Sequence, residues 1–264
     1  MIGLIYSKRD LTASNAMASL FKKYDLEEDE NHRCMLDKVS FIGIEEELIH
    51  YEKVDSEGFD ILYMVSRHKS SAGIASFTTH ATGNFTKDAS LGGMPKQLSV
   101  SAPVEMLSVL KHMPNTIPEI QKTYEATHHG PLLNTPSLFV EVGGNDEITS
   151  RPYIIALLGD LAYDSIKDED VGYEKIAIGI GGNHYPSKFY KKSMESNYAF
   201  GHIMSRHSFH NKDGTDNFDM IPLAIERSRL EVEVAILDWK GMNSNERTKV
   251  INTLNEFGLD YERV

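Results

Sequence analysis

The sequence has a single cysteine, Cys34, in 264 residues. One thiol closes no intramolecular disulfide and builds no C-x-x-C zinc knuckle, so the chain reads as intracellular. Long apolar runs are missing as well. None approaches the roughly 18 residues of a membrane span, and the apolar start of "MIGLIYSKRD" is too short for a signal peptide. The expected location is the cytoplasm, away from any membrane. Positive charge is scarce: 27 Lys and Arg stand against 39 Asp and Glu, a formal net charge of −12. Phosphate backbones repel such a surface, which argues against DNA as a partner and requires any RNA contact to be local.

Several familiar catalytic spellings are also absent. There is no G-x-S-x-G elbow, no H-E-x-x-H and no G-x-x-x-x-G-K-[ST] phosphate loop. "GIGGNH" follows a dinucleotide fingerprint for four positions and then places His184 where the last glycine belongs. His50-Tyr51-Glu52 spells the H-x-E of zinc deaminases, but one cysteine cannot supply the accompanying P-C-x-x-C.

Hydrophobic residues make up 41% and charged residues 25%, the balance of a packed globular chain rather than a disordered one. The spacing predicts a strand over 1–7 and a helix capped by Asp10 that runs to Tyr24. Strands are expected at 36–44, 47–54, 59–66, 73–80, in "KTYEATHHGP", "PSLFVEVGG", "KIAIGIGG" and "EVEVAILDW". Helices are expected from Pro103 to Met113, from Ser150 to Ile166, over 217–229 and over 244–257. Alternating elements with continuously apolar strands predict a three-layer α/β/α fold with a mixed, mainly parallel sheet, spanning 1–264 as one domain.

What the sequence does have is histidine, 11 in all. His68, His80, His128, His129, His184 and His202 fall at expected strand ends and loops. Ligands of open α/β sheets bind beyond strand carboxyl ends, so these side chains are expected to converge on one crevice. Neutral imidazoles with a carboxylate suit zinc, and Glu141 on the strand after "HHGP" is the candidate carboxylate. If "THHG" stays extended, His128 and His129 point to opposite faces; a turn at Gly130-Pro131 would release them. After the glycine turn, Lys188, Lys191 and Lys192 form a local positive patch that suits a phosphate-bearing substrate.

"SKRDLTASN" at 7–15, "SRH" at 66–68, "THATGN" at 79–84, "THHGP" at 127–131, "FVEVG" at 139–143 and "GIGGNHYPSKF" at 179–189 together resemble the archaeal and plant type of D-aminoacyl-tRNA deacylase. The resemblance runs through almost the whole chain. It implies a fold like the phosphorylase and peptidyl-tRNA hydrolase group, zinc as cofactor, and hydrolysis of the ester joining a D-amino acid of varied side chain to the 3′ end of tRNA. A monomer is expected to bind the acceptor end.

On that basis His129 and His184 are the first candidates for base or ligand. His80, His128, His202 and Glu141 are the metal-ligand candidates. Backbone N–H groups of Gly181, Gly182 and Asn183 would hold the oxyanion. Asp10 and Asn15 are candidates for positioning the terminal adenosine or the amino group, and Lys188, Lys191 and Lys192 for the phosphates. The rival readings are a zinc-dependent amidase or peptidase, a noncatalytic RNA-end binding protein and, at the level of fold, a nucleoside phosphorylase.

Overall fold

In the computed structural model, which describes residues 1–68, 73–117, 119–168 and 170–264, strand β1 (Ile2–Ser7) leads into helix α1 (Leu11–Tyr24). Asp10 starts that helix as expected, its Oδ1 accepting the backbone N–H of Thr12 at 3.0 Å and of Ala13 at 3.2 Å. There follow β2 (Arg33–Leu36), β3 (Val39–Ile44), β4 (Ile61–His68), β5 (Ser76–His80), β6 (Gly83–Asn84), β7 (Gln97–Leu98), α2 (Pro103–His112), β8 (Gln121–Tyr124) and β9 (Ser137–Gly143). The second half contains α3 (Asp146–Thr149), α4 (Pro152–Lys167), β10 (Lys175–Ile180), α5 (Ser187–Ser196), β11 (Tyr198–Met204), α6 (Ile221–Glu226), β12 (Val234–Leu237), α7 (Ser244–Phe257) and β13 (Tyr261–Arg263).

The strands form two principal sheets rather than the single one expected. A seven-stranded sheet runs β2-β3-β1-β4-β9-β5-β8, antiparallel only at β2/β3 and β9/β5. A four-stranded sheet, β11-β10-β12-β13, is parallel throughout. The architecture is mixed α/β with mainly parallel sheets.

Alternation along the strands of the larger sheet divides its faces. Leu4, Tyr6, Phe41, Tyr63, Val65, Val140 and Val142 enter a core shared with α1, α2 and α4. That core also takes Ala177, Phe200, Ile203 and Ile236 from the smaller sheet. The opposite face carries Ile5, Ile42, Leu62, Met64 and Phe139, and Leu48, Val54 and Leu133 cover it.

The expected strand at 47–54 is instead a pair of 3-10 turns, Leu48–His50 and Lys53–Ser56. Leu48, Tyr51 and Val54 recur every three residues, the period of that helix, and all three pack onto the sheet. The helix expected over 217–229 is shorter: a 3-10 turn, Phe218–Met220, precedes α6. Helix α5 escaped the pattern because it buries only Phe189 and Ser193.

Three consecutive backbone hydrogen bonds carry the chain from the larger sheet to the smaller just after β8. Glu125 N–H donates to Thr79 C=O at 3.0 Å, Ala126 N–H to His184 C=O at 2.8 Å, and Thr127 N–H to Ile203 C=O at 2.9 Å. The chain thus steps from one sheet to the other across residues 125–127, and the histidines gather there.

Candidate active site

On the face of the larger sheet away from α1 and α4, the apolar row gives way to polar residues. Register places Ser66 of β4, Glu141 of β9 and Thr78 of β5 side by side. His68 and His80 share that face by strand alternation, and Glu125 joins it beyond β8. The site is therefore built on a sheet face near the junction, rather than on strand ends alone.

Two buried carboxylates form its floor. Glu125 is 1% exposed and Glu141 3% exposed, so neither has water to share its charge. Each has one oxygen fixed by a hydroxyl: Thr78 Oγ1 donates to Glu125 Oε1 at 2.6 Å, and Ser66 Oγ donates to Glu141 Oε1. The other oxygens face imidazoles. Oε2 of Glu125 lies 2.9 Å from His184 Nε2, 3.2 Å from His68 Nδ1 and 3.6 Å from His128 Nε2. Oε2 of Glu141 lies 3.3 Å from His68 Nδ1 and 3.6 Å from His80 Nε2.

Burial alone pushes the Glu141 carboxyl up, but the adjacent His68 and His80 imidazoles bring it well below the usual carboxylate range. The same contacts raise His68 and His80 against the opposing effect of their burial. Tyr185 closes the outer side, its hydroxyl 3.0 Å from His68 Nε2.

Three rings share one arrangement. Nδ1 of His80 is 3.1 Å from Ala81 C=O, Nδ1 of His128 is 2.9 Å from Ala126 C=O, and Nδ1 of His129 is 2.6 Å from Gly130 C=O. A carbonyl only accepts, so each Nδ1 carries the proton and each Nε2 is left with a lone pair. One nitrogen of each ring lies within 4.8 Å of the others, and the same spacing holds for His80 with Glu125 and Glu141, and for His68, Glu125, His128 and His184.

Among the described residues His80 Nε2 and Glu141 Oε2 are buried with no hydrogen-bond partner. Imidazoles fixed through Nδ1 to backbone carbonyls, with Nε2 and carboxylate oxygens left over, make the donor set that a zinc ion takes. Burial and then the neighbouring rings keep His128 well below its ordinary pKa, and burial lowers His129 to about 4, so both are neutral at pH 7.

His129 has a positive φ of 44°, which breaks the extension of "THHG". Both adjacent rings consequently enter the site, with centroids 4.2 Å apart. Gly130 makes this possible: a Cβ there would sit 2.3 Å from Gly93 N and 2.4 Å from Ile49 C=O.

Not every candidate joins the cluster. His202 is fully buried elsewhere, with Nδ1 3.1 Å from Thr127 Oγ1 and Nε2 3.0 Å from Ser99 C=O and 3.1 Å from Arg227 C=O. Both of its nitrogens are engaged, so it holds the junction and offers no ligand. Gly181 has spent its N–H on Met204 C=O at 2.9 Å. The pair Gly181-Gly182, with φ of 99° and 79°, packs on Asp238 and turns the chain so that His184 reaches Glu125. Asn183 is exposed beside it.

Asp10 is also committed: its Oδ2 accepts Arg67 N–H at 2.6 Å, pinning the end of β4 beside His68, and burial raises its pKa. Asn15 lies on the exposed side of α1. The lysines are ion-paired: Lys188 with Asp238 at 2.7 Å, Lys191 with Glu195 at 3.7 Å and Lys192 with Glu262 at 2.9 Å. Lys192 also sits 4.1 Å over the Tyr198 ring, away from the histidines. Glu125, Ser66, Thr78 and Tyr185 were not among the sequence candidates. A carboxylate three residues before His128 in a stretch that pairs as a strand was the available signal for Glu125.

The profile of the D-aminoacyl-tRNA deacylase family matches residues 55–262. The D-aminoacyl-tRNA deacylase of Pyrococcus abyssi is 31% identical over 277 residues, covering 98% of each chain. That of Thermoplasma volcanium is 30% identical over 259 residues, covering 97% of each. A crystal structure of a conserved protein of unknown function superposes with a TM-score of 0.88 at 25% identity, covering 100% of this chain and 95% of that one.

Proposed function

The chain belongs to the D-aminoacyl-tRNA deacylase family, and from that membership we propose how its own residues carry the reaction. The activity is hydrolysis of the ester of D-aminoacyl-tRNA to free D-amino acid and tRNA, which clears mischarged tRNA. The single observation that carries the assignment to this site is the convergence of His80, His128 and His129 on the buried Glu125 and Glu141.

Zinc is part of the proposal. His80, His128 and His129 through Nε2, with Glu141 through Oε2, would hold it, because those atoms are the ones the protein leaves over. When bound, zinc polarises a carbonyl and lowers the pKa of water.

The residues contribute the rest. His184 borders the site with Nε2 donating to Glu125, and its other ring nitrogen accepts the proton of the attacking water. That proton passes to the departing 3′ oxygen, leaving the amino acid as its carboxylic acid, which loses its own proton to solvent to become the carboxylate. Glu125 aligns His68 and His184 at once, and Tyr185 fixes the far side of His68. With the Gly181 amide spent, the oxyanion is assigned to the amides of Gly182 and Asn183, which have no acceptor among the described residues. Because the ester is labile, orientation supplies much of the rate.

The reading extends to one domain, since a single core takes side chains from both sheets. It also extends to a cytoplasmic monomer acting on tRNA of varied D-amino acids. No described helix is long and apolar enough to cross a membrane. Kinship with the phosphorylase and peptidyl-tRNA hydrolase group belongs to the same proposal, supported by the mixed, mainly parallel sheets.

The test is release of tyrosine from D-tyrosyl-tRNA and L-tyrosyl-tRNA, with chelator-treated protein run in parallel. Fast, D-selective release that chelation removes and zinc restores supports the whole reading. Folded, zinc-loaded protein that leaves both esters intact contradicts it.

A further inference from the structure

We propose that the corner built by Trp239, Arg247 and Arg263 is the surface that binds the acceptor-stem phosphates of the tRNA substrate. The inference rests on the deacylase reading and adds the place where the rest of the tRNA lies.

Trp239 follows β12, and Arg263 ends β13, the next strand of the same parallel sheet. Arg247 sits in the first turn of α7, at the same end of that sheet. The guanidinium carbon of Arg263 lies 3.8 Å from the centre of the Trp239 ring, and that of Arg247 lies 4.6 Å from it. Arg247 is anchored further by Nε and Nη2 bonds to Trp239 C=O at 3.0 and 2.7 Å. Lys240, exposed, lies next to the indole in sequence.

This corner is set apart by holding two guanidinium groups on one indole with no carboxylate among the described residues paired to either. Lys188, Lys191 and Lys192 all have carboxylate partners, as do Arg33, Arg67, Arg151 and Arg229. Among the described residues neither Arg247 nor Arg263 has a carboxylate within ion-pair distance. Nearby Asp238 and Glu262 are already occupied, by Lys188 and by Lys175 and Lys192. In a chain of net charge −12, cations held in place and left without counter-charge are an unusual local feature. Stacking on an indole fixes each guanidinium plane, and the N–H groups not spent on Trp239 C=O or the Tyr261 hydroxyl suit a phosphate.

The corner also continues the reaction site. A Cβ on Gly241 would lie 2.9 Å from Gly182 N, so the loop carrying Trp239 packs against the turn that delivers His184. An acceptor end whose ester sits at the histidines therefore has its phosphates leaving over this loop. Backbone contacts of this kind set register and orientation, and leave the terminal ester to the catalytic groups.

The test compares two D-tyrosyl esters, D-tyrosyl-tRNA and 3′-O-D-tyrosyl-adenosine, with wild type and an Arg247→Glu/Arg263→Glu double variant over a salt series. The ratio of kcat/KM for the tRNA to that for the adenosine ester is expected to fall about tenfold or more at low salt. The slope of log kcat/KM against log salt for tRNA is expected to flatten by about 2. An unchanged ratio and slope in a folded variant would overturn the assignment. Should the double variant not fold, phenylglyoxal modification of wild type with and without deacylated tRNA reads the same surface. Protection of Arg247 and Arg263 supports the proposal and modification indifferent to tRNA contradicts it. That readout needs no hydrolysis, so a wild type that cleaves neither ester would sink the deacylase reading separately.

Discussion

Nε2 of His184 lies 2.9 Å from Oε2 of Glu125, and with that contact a loop of the four-stranded sheet is tied to a buried carboxylate at the edge of the seven-stranded one. The backbone repeats the tie in the bond from Ala126 N–H to His184 C=O. Position of the reactive rings and docking of the two sheets are thus one structural matter.

Glu125→Gln keeps the shape of that side chain and removes its charge. An amide still fills the space below Thr78 but no longer accepts from His68 and His184 together. We expect kcat on D-tyrosyl-tRNA to fall about 10- to 100-fold with the circular dichroism spectrum unchanged. A variant with wild-type kcat would remove Glu125 from the machinery.

Metal content is checked independently of turnover. Protein purified without chelator should carry zinc by elemental analysis, and metal-free protein should gain thermal stability on zinc addition. Zinc in hundredfold excess over its dissociation constant adds about 2.7 kcal/mol. Glu141→Gln should weaken the gain, since the unpartnered Oε2 of Glu141 would be lost. Metal-free protein whose melting temperature ignores zinc would contradict the ligand set.

Gly130→Ala tests the turn that admits both His128 and His129. The added methyl would meet backbone atoms of Gly93 and Ile49 at 2.3 and 2.4 Å, which no rotamer change relieves. Destabilisation of about 1–3 kcal/mol is expected, together with loss of turnover as His129 shifts. Wild-type melting temperature and rate would show that the turn tolerates what its packing forbids.

His202 makes a prediction about pH. Burial lowers its pKa from 6.5 to about 4, so the unfolded chain takes up a proton in that window and the folded one does not. Stability therefore falls as pH drops from 6.5 towards 4, by an amount on the order of 3 kcal/mol from this residue alone. In His202→Gln the denaturation midpoint should decline less steeply over the same range. Identical pH dependence in the two proteins would contradict a buried neutral His202.

Most of this fold was legible because local signals agreed with it: Asp10 before α1, Pro103 at the start of α2, and the continuous apolar run of β10. The division into two sheets was not, since nothing in one strand's sequence says which neighbour it pairs with. Of the five histidines expected as metal-ligand or catalytic candidates, four stand next to one another and His202 does not. "FGH" reads the same whether the ring faces a crevice or a backbone carbonyl. Glu125 escaped because its importance comes from register: only pairing of β8 with β5, and β5 with β9, sets it near Glu141. The ion pairs of Lys188 and Lys192 were hidden for a related reason, as their carboxylate partners Asp238 and Glu262 are remote in sequence.

The central claim is that His128 and His129, brought together over Glu125 and Glu141, carry D-selective ester hydrolysis. Single-turnover release of tyrosine from D-tyrosyl-tRNA and L-tyrosyl-tRNA by wild type and by a His128→Ala/His129→Ala variant tests it most directly. The account predicts fast release from the D-ester alone by wild type and near-background release by the folded variant. Equal release from both esters by wild type, or undiminished D-ester release by the variant, would contradict it.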